Sequence, residues 1–257
     1  MYTVEVTFKI IEKNREEEQE ELIILIKNSW RMNGQVLGNE NIYAQAKNAF
    51  KMYLYIPEKD SLDKKYNNKY LDKDFIKLKE VGLANPKVKI IDEKSQDDEL
   101  CDCKKPSSYI LFTTYVALYT SLRCKKCFGT VPLYKIPKIY DDSEYYPLIC
   151  WQSDYRSCDS LQMNCSVGEK FALKQLGSLD SQLTKDGLKV CKKIEEVTNI
   201  KTYYYLYKSK AKSKKQELLR RCPSCGKKWL LKKTLHSLFD FECKRCKLLS
   251  NIAYDVK

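Results

Sequence analysis

Histidine is nearly missing: His236 is the only one in 257 residues. Histidine-based triads and histidine–carboxylate metal sites therefore have almost no raw material. The chain has no G-x-x-x-x-G-K-S/T loop and no G-x-G-x-x-G turn, so neither common phosphate cradle is present. A zinc deaminase needs H-x-E ahead of P-C-x-x-C; here the order is Cys222-Pro223-Ser224-Cys225 with no such partner. With no catalytic constellation, the chain is expected not to be an enzyme. Long apolar runs are lacking too. The longest before mid-chain is Leu22 to Ile26, far short of a membrane span. The later run Tyr109 to Leu122 is punctuated by threonines and tyrosines and suits a strand better. The start, Met1 to Val6, reads as a strand followed by Glu16-Glu17-Glu18, not as an export signal. Without export, paired cysteines point to reduced, metal-bound thiolates in a cytoplasmic protein with no membrane partner.

Acidic residues are scarce at one end. The net charge is +13, and residues 1–200 account for +1 of it; residues 201–257 hold 16 basic and only 4 acidic side chains. Four thiolates around one divalent zinc would bring this tail to about +10. Such a tail is an electrostatic footprint for a polyanion. The bland alternative is a lysine-rich solvated surface in a lysine-rich proteome.

Cysteine is plentiful, at twelve, and eight fall into two constellations. Cys222-x-x-Cys225 and Cys243-x-x-Cys246, seventeen residues apart, have the spacing of a four-cysteine zinc ribbon. Each C-x-x-C turn points two thiolates at one centre, and a hairpin sets the second turn opposite. No coordination position is left open, so the metal is expected to hold structure. Cys101-x-Cys103 and Cys124-x-x-Cys127 form a less standard set. Side chains two apart on an extended segment share a face, so C-x-C can chelate as C-x-x-C does. A second zinc is expected there, giving two per chain; the alternative is buried or loosely paired thiols.

Hydrophobic patterning divides the rest. Strands are expected over Tyr2–Ile11, Ala49–Ile56 and Lys87–Ile91, and helices over Glu16–Met32, with Asn14 as its cap, and Asp72–Val81. This gives residues 1–99 a βαβ-type or split ferredoxin-like order, ending in an acidic connector over 92–99. Residues 100–207 would hold the first zinc site with its hairpin, a strand over Tyr134–Tyr140, helices from Gly168 onward, and a strand over Lys201–Tyr207. Residues 208–257 would form a basic linker and the ribbon, with strands near 229–231, 238–241 and 248–254. The fold class is α+β: an N-terminal βαβ-like unit, a central zinc-bound hairpin with a helical segment, and a C-terminal zinc ribbon.

The stretch Trp151-Gln-Ser-Asp-Tyr-Arg-Ser-Cys-Asp-Ser-Leu-Gln-Met-Asn-Cys165, with Val131-Pro-Leu-Tyr134, Tyr203-Tyr-Tyr-Leu-Tyr207 and Cys222-Pro-Ser-Cys-Gly226, resembles an uncharacterised bacterial family. That family is one of zinc-ribbon-containing proteins with a proposed nucleic-acid role. The resemblance implies a ribbon at Cys222, Cys225, Cys243 and Cys246 and nucleic-acid binding; it brings no catalytic residue.

Two candidate sites follow besides the metals. The ribbon interleaves Lys227, Lys228, Lys232, Lys233, Lys244, Arg245 and Lys247 with Trp229. Lysines at this density can contact phosphates and release counterions, and Trp229 could stack on an unpaired base or serve as the ribbon's own core. RNA or DNA is the expected partner. The alternative is an acidic protein surface, such as a bacterial toxin neutralised by this chain as its immunity protein. The second site is 150–165, where Trp151, Asp154, Arg156 and Asp159 either line a pocket, with Asp154 and Arg156 paired across it, or belong to a loop stitched by hydrogen bonds. His236 is expected in the ribbon's turn, outside the metal shell.

Overall fold

Val4, Val6 and Phe8 are buried at every second position of β1 (Tyr2–Lys9), as a one-sided strand requires. The computed structural model describes residues 1–93 and 100–257; the expected acidic connector lies outside them from residue 94 on. The chain folds as two compact units. One comprises 1–100 with 118–120 and 132–136; the other comprises 101–117, 121–131 and 137–257.

In the first unit β1 is followed by α1 (Glu16–Met32), β2 (Leu37–Ala46), β3 (Ala49–Ile56), α2 (Lys69–Glu80) and β4 (Lys87–Glu93). The sheet order is β2-β3-β1-β4 and every adjacent pair is antiparallel. This is the split βαβ arrangement. Phe50, Met52, Leu54 and Ile56 of β3 join the β1 residues in one core beneath Leu22, Ile23, Ile26 and Trp30 of α1 and Leu71 and Leu78 of α2.

Three details differ from the sequence reading. β2 is a fourth strand, hidden by its glycine, asparagines and glutamate, which are poor strand formers. Asn14 does not cap α1: it takes a left-handed φ of 69° and the N-cap position falls on Arg15. α2 begins earlier than its apolar pattern suggested, because the Asn68 side chain accepts from the N–H groups of Tyr70 and Leu71.

The second unit is built on a six-stranded sheet. Its elements are β5 (Ser108–Leu111), β6 (Leu122–Cys124), α3 (Tyr146–Met163), α4 (Glu169–Gly177), α5 (Gln182–Thr198), β7 (Lys201–Leu206), α6 (Lys214–Leu218), β8 (Leu230–Leu235), β9 (Phe239–Cys243) and β10 (Leu248–Ser250). The order is β6-β5-β7-β10-β9-β8. β7 lies parallel to both β5 and β10, and Tyr203, Tyr204, Tyr205 and Leu206 are all buried, as in a strand covered on both faces. α5 crosses β7 at Gly187, where a Cβ would lie 2.1 Å from the Tyr204 ring and 2.6 Å from Trp151 Nε1.

Two further expectations fail. Tyr134–Tyr140 is not a strand: residues 133–135 form a single 3-10 turn between Pro132 and Pro137, which cannot donate to a ladder. Residues 150–163 are not a loop; they form most of α3, with Leu148, Trp151, Tyr155, Cys158, Asp159 and Gln162 along its buried side, and Asn164 caps its end. No helix among the described residues is long and apolar enough to cross a membrane.

Candidate metal centres and basic surface

Both cysteine sets come together. In each set the four sulfurs lie within 4.8 Å of one another, and Cys225 and Cys243 are 3.6 Å apart. Four thiolates around one metal at about 2.3 Å would sit about 3.8 Å apart. The donor sets therefore fit a tetrahedral ion with little rearrangement, and either cluster could hold a metal ion.

The turns that aim these sulfurs share one backbone device. In the residue after the second cysteine, the chain turns left-handed: Phe128 (φ 65°), Gly226 (φ 68°) and Lys247 (φ 54°). The N–H of Phe128 then reaches Cys124 O at 2.8 Å, and that of Gly226 reaches Cys222 O at 2.9 Å. Glycine takes this conformation freely. Phe128 does not, and its ring packs on Phe112, Phe239 and His236. In the first cluster the strained position is therefore an aromatic one, directly before Gly129.

Backbone N–H groups also tune the thiols. The Lys227 N–H at Cys225 brings that thiol down to about 7. Burial raises Cys124, yet the N–H groups of Cys127 and Lys126 together with the Cys101 and Cys127 thiols outweigh it, and the net shift is downward. Burial pushes Cys101, Cys222, Cys243 and Cys246 upward. In each cluster a thiol shifted downward thus sits beside thiols that burial shifts upward, and a bound cation would favour their thiolate forms.

His236 occupies the turn between β8 and β9 (φ 52°), and its Nε2 donates to the Lys125 carbonyl at 2.7 Å, away from the sulfurs.

Of the residues expected to meet nucleic acid, Lys227, Lys228, Lys232, Lys233, Lys244 and Arg245 are exposed. They make no side-chain hydrogen bond or ion pair among the described residues. Lys247 is instead paired with Glu195 at 2.5 Å. Trp229 is corrected as a stacking platform: it is 3% exposed, packs on Phe241, and donates from Nε1 to the Arg220 carbonyl. A small hairpin has few other apolar side chains with which to close its core.

Arg220 is a further structural residue that no sequence motif marks. Its guanidinium lies 4.9 Å from the Trp229 ring and 4.2 Å from Phe241. It bonds Glu217, Ser250 and the Asn251 carbonyl. Asn251 in turn binds both backbone groups of Lys208, and Asp255 accepts from the Ala211 N–H. The supposed basic linker is therefore fastened along its first half. The signal available in sequence was a buried-type asparagine after an apolar strand, which is too weak to use alone.

The pocket reading of 150–165 separates into two faces of α3. Trp151 and Asp154 line a groove between α3, α4 and α5 of about 800 Å³. Arg156 and Asp159 belong to another face. Gln152 Oε1 accepts from Ser121 N–H (3.0 Å), Arg156 donates to the Ala117 carbonyl, and Asp159 Oδ2 accepts from Tyr115 N–H (2.8 Å). These residues, at i, i+4 and i+7, pin the connection between β5 and β6. Burial raises the Asp159 carboxyl above its ordinary range.

Residues 1–92, 103–207 and 211–256 match three families, each described as a domain of unknown function: DUF8589, DUF2310 and DUF8594. An uncharacterised protein of Haemophilus influenzae (strain ATCC 51907 / DSM 11121 / KW20 / Rd) is 32% identical over 264 residues, spanning 99% of each chain. A second uncharacterised protein of that strain is 33% identical over 178 residues, 68% of this chain and 85% of its own. A crystal structure described as an antibiotic biosynthesis monooxygenase of Deinococcus radiodurans aligns with 39% of this chain and 100% of its own, at 8% identity and a TM-score of 0.29, too remote to bear on function. The match to the first Haemophilus protein runs the length of both sequences, and the chain belongs to its uncharacterised bacterial family.

Proposed function

We propose that the chain binds two zinc ions, one per four-cysteine cluster, and that the C-terminal cluster is a zinc ribbon that binds RNA or DNA. All-thiolate tetrahedral sites favour zinc among common divalent ions, and a closed shell makes both ions structural.

The observation that carries the nucleic-acid reading is an asymmetry in where charge is spent. All four acids of the tail are engaged internally: Glu217 with Arg220, Asp240 with Thr234 and Ile252 N–H, Glu242 with Lys125, and Asp255 with Ala211 N–H. Six cations around the C-terminal cluster are left facing solvent with no partner among the described residues. With Trp229 buried, recognition works through phosphates and carries weak sequence preference.

The test is a salt titration of zinc-loaded protein against mixed-sequence single-stranded RNA and DNA. Six phosphate contacts give a slope of log K against log salt of about −4. Replacing Lys227, Lys228, Lys244 and Arg245 together by Gln should flatten it by about 3 while leaving zinc content unchanged. No binding at low salt, or a slope indifferent to these four changes, retires the reading in favour of an acidic protein partner, toxin first.

A further inference from the structure

We infer that the two four-cysteine clusters bind their metals cooperatively, with Lys125 as the positioning residue that couples them. This rests on the two-metal reading above. Lys125 is the first residue inside the Cys124–Cys127 turn, so an ion in that cluster fixes its backbone. Its ammonium reaches across the sheet to Glu242 Oε1 at 2.7 Å, with both side chains largely buried. On the way it lies 4.1 Å from the centre of the Tyr203 ring on β7. Glu242 is the residue immediately before Cys243, a ligand of the other cluster.

The same residue makes a second connection through its backbone. The Lys125 carbonyl accepts from His236 Nε2 at 2.7 Å, in the turn that joins β8 to β9. The His236 ring stacks on Phe128, centroids 4.8 Å apart, and Phe128 also packs against Phe239 at the start of β9. One cluster's turn therefore grips both ends of the strand that presents Cys243 to the other.

Without an ion, the Cys124–Cys127 turn loses its cross-link to Cys101 and Cys103, and neither the ammonium nor the carbonyl of Lys125 stays fixed. Glu242 and His236 then lose partners in a largely buried setting, where unpaired polar groups are costly. Order at the first cluster thus prepares the second, and linkage requires the reverse effect to be equal.

The experiment titrates the full chain with cobalt(II), read by its thiolate charge-transfer absorption in competition with a chelator. Cys103→Ser with Cys127→Ser leaves the C-terminal cluster alone; Cys225→Ser with Cys246→Ser leaves the first alone. The overall two-metal constant of the unmodified chain should exceed the product of the two single-cluster constants by at least about 5-fold. In a Lys125→Met, His236→Ala background the excess should shrink to within about twofold, whereas Lys125→Arg should retain most of it. Should either double variant lack a native circular dichroism spectrum, the complementary pairs Cys101/Cys124 and Cys222/Cys243 replace it. Uptake of a single cobalt by the unmodified chain overturns the two-metal reading and the coupling with it. Two cobalts whose constants multiply with no excess overturn the coupling alone.

Discussion

Arg220 and Asp159 carry more structural weight than any lysine of the basic surface. Arg220 neutralises a buried Glu217 while bridging two rings and the end of β10. Replacing it with Met strands the carboxylate, and a loss of about 3 kcal/mol is expected in urea unfolding of the metal-loaded protein. A loss below about 0.5 kcal/mol, the level of an ordinary surface change, would contradict this account. Asp159→Ala leaves the Tyr115 N–H without its acceptor and should cost about 1–3 kcal/mol. Because burial raises the folded carboxyl pKa, folding favours the protonated acid. That contribution is present below the unfolded value and lost as pH rises through the folded one. Asp159→Asn should keep the Tyr115 bond and flatten that part of the stability–pH curve. The eight clustered cysteines were legible because metal-site spacing is written in short local intervals. Arg220 and Asp159 were not, since the partners that fix their roles in the fold, Ser250 and Tyr115, lie 30 and 44 residues away in sequence.

At the scale of elements, α3 shows how a helix escapes a reading based on hydrophobic periodicity. Its buried side does repeat at helical intervals, but two of those positions are Asp159 and Gln162, and a second face spends Gln152 and Arg156 on the β5–β6 connection. Polar residues used for internal bonding look the same in sequence as polar residues facing water. α5 and β7 were easier, with unbroken apolar spacing and a run of tyrosines, yet the crossing between them depends on one glycine. Gly187→Ala gains up to about 1 kcal/mol of helix propensity but drives a methyl into Tyr204 and Trp151. A net loss of about 2 kcal/mol is expected, checked by denaturant midpoint; stabilisation would show that the helix can shift away from the sheet. On β8, Lys232 and Lys233 sit on an edge strand. Edge lysines also discourage unwanted strand pairing, so the binding variants proposed above use the four cations on the turns instead.

Taken whole, the second unit is a single sheet with a four-cysteine cluster in each of its outer hairpin regions and β7 between them. The two hairpins were foreseeable from cysteine spacing; their union through β7 was not, since parallel pairing of β5 and β10 with one central strand is a long-range choice. On the two-metal proposal, that union makes the ions part of the unit's stability, as each would clamp strands that the other needs. Chelation should therefore abolish cooperative unfolding across the whole sheet and weaken polyanion binding at the same time.

The measurement nearest to the centre of this account is the metal content of the full chain, purified without added metal and analysed by inductively coupled plasma mass spectrometry. Two zinc ions per chain are predicted. One or none, or a different metal in their place, would contradict it.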